Sequence, residues 1–212
     1  MAALESQMIA LDSRMPRFDL PDMMSGKMIR SDDFANRPVL VMFICNHCPY
    51  VVHVRGELAK LGLDYQSSKL AIVAISSNDT LTHPQDGPEH MKRVAIDAGY
   101  MFPYCFDETQ TVARDFHAAC TPDFFLYNAS HTLAYRGQLD ASRPRNALPV
   151  DGRMYARPLT PCSVAPNLAP INVPALVATS SGAPRNDVKD MPMFRLFIGR
   201  NPHNSIALLF CN

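Results

Sequence analysis

The segment Val39–Val51, VLVMFICNHCPYV, decides the fold of this chain. Its first part, Val39–Ile44, is an unbroken apolar run that predicts a strand buried on both faces. Cys45 and Cys48 follow directly, ahead of a predicted helix. A buried strand that delivers Cys-x-x-Cys to a helix start places the first thiol where backbone amides and the helix dipole stabilise a thiolate. The segment is therefore typical of a redox site.

Composition and charge restrict the class of protein and the partners. The chain has 212 residues, 47% of them hydrophobic, so we expect one domain plus an appendage. Twenty Lys and Arg balance twenty Asp and Glu, with no basic run, which argues against nucleic acid and against an anionic membrane as partners. Residues 1–15 form an amino-terminal extension without a signal-peptide pattern or membrane span, so we expect a cytoplasmic protein. In a reducing compartment, cysteines are more often catalytic or metal-binding than a disulfide framework.

Strand and helix patterns alternate along residues 16–153, the predicted domain. Core strands are predicted at 38–44 and 70–75, helices at 49–65, 88–100 and 108–118, and a hairpin at 124–127 and 132–136. Two βα units followed by a hairpin predict an α/β fold, with a central mixed sheet flanked by helices.

Motifs spread over the predicted domain resemble one family. Besides the cysteine segment they are SSND (76–79), FPY (102–104), DETQ (107–110), CTPDFF (120–125) and YRGQLD (135–140). Together they resemble a bacterial subfamily of thioredoxin-like redoxins, of the alkyl hydroperoxide reductase and thiol-specific antioxidant type. The resemblance implies a thioredoxin fold in which a cis Thr121–Pro122 loop lies against the cysteines and positions the substrate.

The two cysteines predict dithiol–disulfide exchange. We expect Cys45, as the more exposed and more acidic thiol, to attack a substrate disulfide, and Cys48 to resolve the mixed disulfide. Asn46, His47 and Pro49 are the candidate tuning residues. A partly protonated His47 would favour thiolate over disulfide, and the resemblance implies the same, because strongly oxidising members of the fold share a histidine there.

The remaining cysteines and histidines are less telling. Cys120 is either a third redox thiol near the pair or a small buried side chain at a helix end. Cys105 lies outside the motifs and is expected in the core. His53 and His117 are expected to be ordinary surface or helix residues.

Three alternatives compete with disulfide exchange. A zinc site would need a distant Cys105 or Cys120 as ligand and lacks the paired spacing of known zinc motifs, so we expect no metal and no cofactor. A peroxiredoxin-like thiol peroxidase is favoured by Cys48 followed by proline, although Cys45 and Val41 replace the threonine and proline of that motif. The third alternative is a redox-inert binding module. The expected partners are protein or small-molecule thiols and disulfides, and hydroperoxides for a peroxidase.

Residues 154–212 differ in character from the rest of the chain. Eight of the eighteen prolines lie there, so no helix of ordinary length fits, although a thioredoxin fold needs a closing helix after its hairpin. A one-base shift of reading frame after Arg153 would encode VRAAIDAVLRG, which has helical apolar spacing, and then GCNIKW, which resembles the carboxy terminus of the same subfamily. We therefore expect a frameshift-derived tail in place of the closing helix. The alternative is a genuine proline-rich extension.

Overall fold

A five-stranded mixed sheet forms the centre of the fold in the computed structural model, which describes residues 9–152. Its strands, in the order β5-β4-β3-β6-β7, are β3 (Val39–Phe43), β4 (Ala71–Ser76), β5 (Tyr104–Phe106), β6 (Asp123–Tyr127) and β7 (Leu133–Gly137). Strand β4 is parallel to β3 and to β5, whereas β6 is antiparallel to both β3 and β7. The predicted α/β class with a mixed sheet is confirmed.

Helices and a small hairpin complete the described part. The helices are α1 (Pro49–Tyr65), α2 (Pro88–Ala98) and α3 (Thr111–Asp115), with 3-10 turns at Ser31–Phe34 and Pro84–Asp86. The hairpin pairs β1 (Asp19–Pro21) with β2 (Met28–Arg30). None of the helices among residues 9–152 is long and apolar enough to cross a membrane.

Strand β3 is buried on both faces because its side chains alternate between two hydrophobic cores. Leu40 and Met42 belong to the core shared with α1 and α2, together with Cys45 and Cys48. Val41 and Phe43 belong to the opposite core, which includes Phe18, Phe34 and α3 residues. The thiol pair therefore emerges from the best-covered strand of the sheet.

Most of the predicted elements are confirmed, and the differences have local causes. The predicted helix over 108–118 is wrong in extent, because Gln110 and His117 adopt positive φ angles of 58° and 53° and confine α3 to five residues. Helix α2 ends at Ala98, two residues early, because Gly99 adopts a left-handed conformation (φ 72°). Strand β5 was not predicted from the sequence, because it is only three residues long.

The amino-terminal segment contacts the sheet before β1 begins. The amide of Asp12 donates to Leu133 O (3.0 Å), and the amide of Met15 donates to His131 O (2.9 Å). Met15 itself is buried. The boundary between an extension, residues 1–15, and the domain stays a prediction.

The chain after β7 folds back over α1 as far as residue 152. The buried carboxylate of Asp140 accepts hydrogen bonds from the amides of Ser142, Asp151 and Gly152. The predicted loss of the closing helix, and the frameshift proposed for residues 154–212, lie outside the described residues.

Candidate active site

The two thiols of the Cys-x-x-Cys segment lie together beneath Thr121. Both cysteines are free and 1% exposed, and their thiols hydrogen-bond each other. Thr121 contacts both: its Oγ1 lies 3.2 Å from Cys45 Sγ, and its carbonyl oxygen accepts a hydrogen bond from Cys48 Sγ (3.3 Å). The Thr121–Pro122 peptide bond is cis, as predicted. The structure thus brings together both predicted catalytic cysteines and the predicted substrate-positioning residues.

The expected difference in exposure between Cys45 and Cys48 is wrong, whereas the expected order of acidity stays a prediction. The two cysteines are equally buried, and α1 begins at Pro49, so the residue at the helix start is Cys48 and not Cys45. The hydrogen bond from the Cys45 thiol, followed by the Val51 amide, lowers the pKa of Cys48 to about 5 against the effect of burial. The same hydrogen bond, with burial and the negative charge of Asp86, raises the pKa of Cys45 far above its ordinary value. The two thiols interact so closely that the proton and the negative charge belong to the pair and not to either sulfur alone.

Asp86 holds the loop between the two cysteines. This carboxylate is fully buried. Its Oδ1 accepts hydrogen bonds from the amides of Asn46 (2.7 Å) and His47 (3.2 Å). Its Oδ2 lies 2.5 Å from His47 Nδ1 and accepts from Asn78 Nδ2 (2.8 Å). Four contacts to one carboxylate fix both the backbone of the loop and the ring of His47.

Asn46 anchors the loop from the other side. Its side-chain amide donates to Gln85 O (2.8 Å) and its Oδ1 accepts from Tyr104 Oη (3.2 Å), while Arg55 donates to its backbone carbonyl (2.9 Å). These contacts hold the cysteine loop in position, and the tuning role of Asn46 stays a prediction. Pro49, the third predicted tuning residue, is the exposed first residue of α1.

The imidazole of His47 is only partly accessible. Its side chain is 19% exposed, and the ring of His83 stacks on it with centroids 4.3 Å apart and planes 13° apart. One ring nitrogen of His47, Cys45 Sγ and an Asp86 oxygen all lie within 4.8 Å of one another. These three donor types could hold a metal ion, but both oxygens of the carboxylate already accept hydrogen bonds from within the site.

A groove of about 470 Å³, open to solvent, begins beside Thr121. Its walls come from the first turns of α1, from the cis-proline loop and from the segment after β7, with Tyr50, His53, Val54, Cys120, Pro122, Gln138, Leu139, Asp140, Ser142 and Arg143. Thr121, which contacts both thiols, connects the groove to the cysteine pair, although neither Cys45 nor Cys48 lines it.

The other two described cysteines differ in position. Cys105 is fully buried in β5, as predicted for a core residue. Cys120 is half-buried and lines the groove, where burial raises the pKa of its thiol well above the ordinary value. A role for Cys120 as a third redox thiol stays a prediction.

Sequence reasoning missed the residues that surround the cysteine loop. Asp86, His83 and Arg55 belong to no recognised motif, and Tyr104 belongs to the FPY motif but was given no role. Asp86 lies 39 residues from His47 in the chain. The available signal was weak: an acidic residue between two prolines, in the turn after a core strand.

Comparison with known proteins identifies relatives over most of the described region. The model of the AhpC/TSA family matches residues 11–136. A crystal structure of an uncharacterized conserved protein from Geobacillus kaustophilus is 48% identical, with a TM-score of 0.69 over 72% of this chain and 81% of that one. A hypothetical protein from Sinorhizobium meliloti 1021 is 43% identical, with a TM-score of 0.67 over 69% of this chain and 80% of that one. No curated protein matches in sequence.

The fold is shared more widely than the sequence. The thioredoxin domain of a thiol-disulfide oxidoreductase from Bacteroides vulgatus has a TM-score of 0.53 over 62% of this chain and 90% of that one, at 16% identity. That likeness shows a thioredoxin-like fold.

Proposed function

Because this chain belongs to the AhpC/TSA family and has a thioredoxin-like fold, we propose that it is a thiol–disulfide oxidoreductase whose redox pair is Cys45 and Cys48. The observation that carries the proposal is the contact of both sulfurs with Thr121, at 3.2 and 3.3 Å, and with each other. Two thiols in contact can close into a disulfide with little movement of the chain. The neighbouring groove supports a substrate bound beside them.

The exchange proceeds in two displacements. The Cys48 thiolate attacks one sulfur of a substrate disulfide, so a Cys48–substrate bond forms and the substrate S–S bond breaks, releasing one substrate thiolate. Cys45 then loses its proton and attacks the Cys48 sulfur, which releases the second substrate thiolate and leaves a Cys45–Cys48 disulfide. Two electrons pass from the pair to the substrate. This order of attack reverses the one expected from the sequence, because Cys48 is the residue at the helix start.

Protein or small-molecule disulfides are the proposed substrates. Turnover needs a second thiol compound that reduces the Cys45–Cys48 disulfide again. Cytoplasmic location and a part in antioxidant defence stay predictions from the sequence.

Disulfide reductase activity tests the proposal. The wild-type chain should form a reversible disulfide in a glutathione redox buffer and reduce insulin in the presence of dithiothreitol, whereas Cys45→Ser and Cys48→Ser should each abolish the reversible disulfide. Cys105→Ser is the matched control, because Cys105 lies in the opposite core and outside the site. Failure of the wild-type pair to form a reversible disulfide would refute the proposal and favour a redox-inert binding module.

A peroxidase is the second candidate, and it has its own supporting observation. The Cys48 thiolate lies at a helix start with its pKa lowered to about 5, as a peroxide-reducing cysteine requires. Its attack would break the O–O bond of a hydroperoxide, giving Cys48 sulfenic acid and an alcohol, and Cys45 would then condense with the sulfenic acid to a disulfide and water. Hydroperoxide consumption by the Cys45→Ser protein, which keeps Cys48, separates the candidates: one equivalent consumed rapidly favours the peroxidase, and none refutes it.

A further inference from the structure

The groove beside Thr121 offers a ligand a positive charge. The charged side chains that line it are Asp140 and Arg143, and His53 is a third titratable group. Asp140 is only 1% exposed, and its carboxylate accepts hydrogen bonds from three backbone amides of the segment that follows it. Arg143 is half-buried. A ligand in the groove therefore meets the guanidinium of Arg143, while the carboxylate of Asp140 is occupied by the chain itself.

The guanidinium of Arg143 keeps donors for a ligand. Its Nη1 donates to the carbonyl oxygens of Asp140 (2.9 Å) and Ser142 (2.5 Å), and its Nη2 donates to Gln138 Oε1. These contacts use three of the five N–H donors that an arginine has. Within residues 9–152 Arg143 makes no further hydrogen bond, so Nε–H and one N–H of Nη2 are left. Two donors on one planar, charged group are the arrangement that binds a carboxylate.

Arg143 is held in place by the segment around it. The neighbouring Ser142 is buried, and its hydroxyl donates to Leu148 O (2.8 Å). The same hydroxyl oxygen lies 2.6 Å from Nε2 of His53 in α1. Because the hydroxyl has one hydrogen, which it gives to Leu148, the imidazole is the donor in that contact. The segment is therefore tied to the helix that follows the cysteine pair, and a ligand of Arg143 would meet a side chain that is already positioned.

Thr121 joins the groove to the thiol pair. It lines the groove, and its Oγ1 and carbonyl oxygen lie 3.2 and 3.3 Å from the sulfurs of Cys45 and Cys48. Both cysteines are 1% exposed, which favours a small substrate over the surface of a folded protein. The groove volume of about 470 Å³ lies in the range of small-molecule sites, about 300–1,000 Å³. The groove is thus suited to one arm of a small disulfide whose sulfurs lie near Thr121.

From these observations we propose that the groove selects small disulfides that carry a carboxylate, and that Arg143 binds this carboxylate. The inference rests on the proposed function, since it names the substrate class for that exchange. The cysteine pair gives two electrons and two protons to the substrate, whose S–S bond breaks and which leaves as two thiol molecules, while the S–S bond of the pair forms. Arg143 takes no part in these bond changes. It is a specificity residue that strengthens the binding of one class of substrate.

Without a cation on its path, an anionic substrate is disfavoured at this site. The thiol pair carries negative charge when it is reactive, and the buried carboxylate of Asp86 lies within 4.8 Å of Cys45 Sγ. Both charges repel a carboxylate. A preference for anionic over neutral disulfides is therefore the opposite of what the pair alone gives, and it requires a positive group in the groove.

Two disulfides of similar size test the selectivity: dithiodipropionate, which carries two carboxylates, and hydroxyethyl disulfide, which is neutral. The rate at which the reduced full-length protein is oxidised is measured by acid quenching, alkylation and mass spectrometry. Each rate is divided by that of free mercaptoethanol with the same disulfide, which removes the intrinsic difference between the two reagents. Serine replaces Cys105, Cys120 and the two tail cysteines in every protein, so that only the redox pair reacts.

With Arg143 intact, we expect a preference of about tenfold for dithiodipropionate, and we expect Arg143→Gln to abolish it. Arg145→Gln is the matched control, because Arg145 is exposed, lies two residues away and does not line the groove. It should keep the preference. Equal rates with Arg143 intact, a preference that survives Arg143→Gln, or one that Arg145→Gln also abolishes would each overturn the proposal. The rate with the neutral disulfide reports on folding, because neither substitution should change it.

A binding measurement keeps the proposal testable if Arg143→Gln does not fold. Suberate has the chain of dithiodipropionate with methylene groups in place of the two sulfurs, so it cannot be reduced. With Arg143 intact, suberate should competitively inhibit oxidation by hydroxyethyl disulfide and the neutral octanediol should not, whereas no inhibition by suberate would overturn the proposal. Suberate binding detected by calorimetry in a protein whose cysteine pair forms no disulfide would refute the proposed function and support the anion site.

Discussion

The acidity of Cys48 provides the sharpest quantitative prediction, because its causes can be removed one at a time. The largest is the hydrogen bond from Cys45, and the amides of Val51 and Tyr50 add to it. Cys45→Ser keeps a hydroxyl donor in place of the thiol, whereas Cys45→Ala removes the donor and leaves the helix amides. We expect the pKa of Cys48 to stay near 5 in Cys45→Ser and to be higher in Cys45→Ala.

The size of the difference follows from hydrogen-bond energetics. A hydrogen bond to a charged group contributes about 1.5–3 kcal/mol, which corresponds to a shift of about 1–2 in pKa. With a pKa of about 5, roughly nine-tenths of Cys48 is thiolate at pH 6, against about 0.3% of an ordinary thiol of pKa about 8.5. The thiolate fraction of Cys48 is therefore about 300 times that of an ordinary thiol. An acidic thiolate is, however, intrinsically about 30- to 50-fold less nucleophilic, which offsets most of this advantage. Cys48 should therefore react about tenfold faster than an ordinary thiol with a small disulfide at pH 6.

The assay is thiolate absorbance titrated between about pH 4 and 9, with dithiodipyridine as the kinetic probe. Cys105 and Cys120 do not interfere below about pH 8, because burial raises the pKa of both thiols. Serine replaces both tail cysteines in every variant. The sign of the pH dependence is fixed: reactivity of Cys48 rises as pH passes about 5 and is level above it. Two results together would refute the assignment of the thiolate to Cys48. They are a titration midpoint of Cys48 near the ordinary thiol pKa in Cys45→Ser, and an acidic Cys45 thiol in Cys48→Ser. Cys45 would then be the attacking thiol, as expected from the sequence.

Three further predictions concern stability and the tail. Asp123→Asn should destabilise the fold by about 3–5 kcal/mol in urea unfolding, because it removes the negative charge that lies 3.0 Å from the buried guanidinium of Arg136; a loss under about 1 kcal/mol would contradict this. In α1, Gly62→Ala should destabilise the fold by about 1–3 kcal/mol, since the added Cβ would lie 2.8 Å from the Phe102 ring. The added Cβ of Gly56→Ala, in the same helix, meets nothing within 4 Å, so this change should stabilise the fold by up to about 1 kcal/mol. Equal effects of the two changes would refute the packing argument. Resequencing the gene after codon 153 tests the frameshift, which is refuted if the DNA lacks the regrouped codons. If the frameshift is real, restoring one base should give a shorter protein with a higher melting temperature.

The local parts of this fold could be predicted from the sequence. An unbroken apolar run predicts β3, and the same reasoning gives β4, the helix Pro49–Tyr65 and the β6–β7 hairpin. These elements depend on residues adjacent in the chain, whose periodicity and turn chemistry are visible directly. The cysteine pair at the end of β3 was predictable for the same reason. The short α3 was not, since its limits depend on the conformations of Gln110 and His117.

The chemistry of the site was decided by the tertiary structure. Thr121 reaches Cys45 across 76 residues, and Asp86 reaches His47 across 39. No local pattern encodes such contacts, because they depend on where several loops pass one another. The sequence determined that two thiols would meet at a helix start. Which of them is the thiolate depended on the residue at which α1 begins and on donors and charges a few ångströms away, because hydrogen bonds and Coulomb interactions act over distances in space and not along the chain.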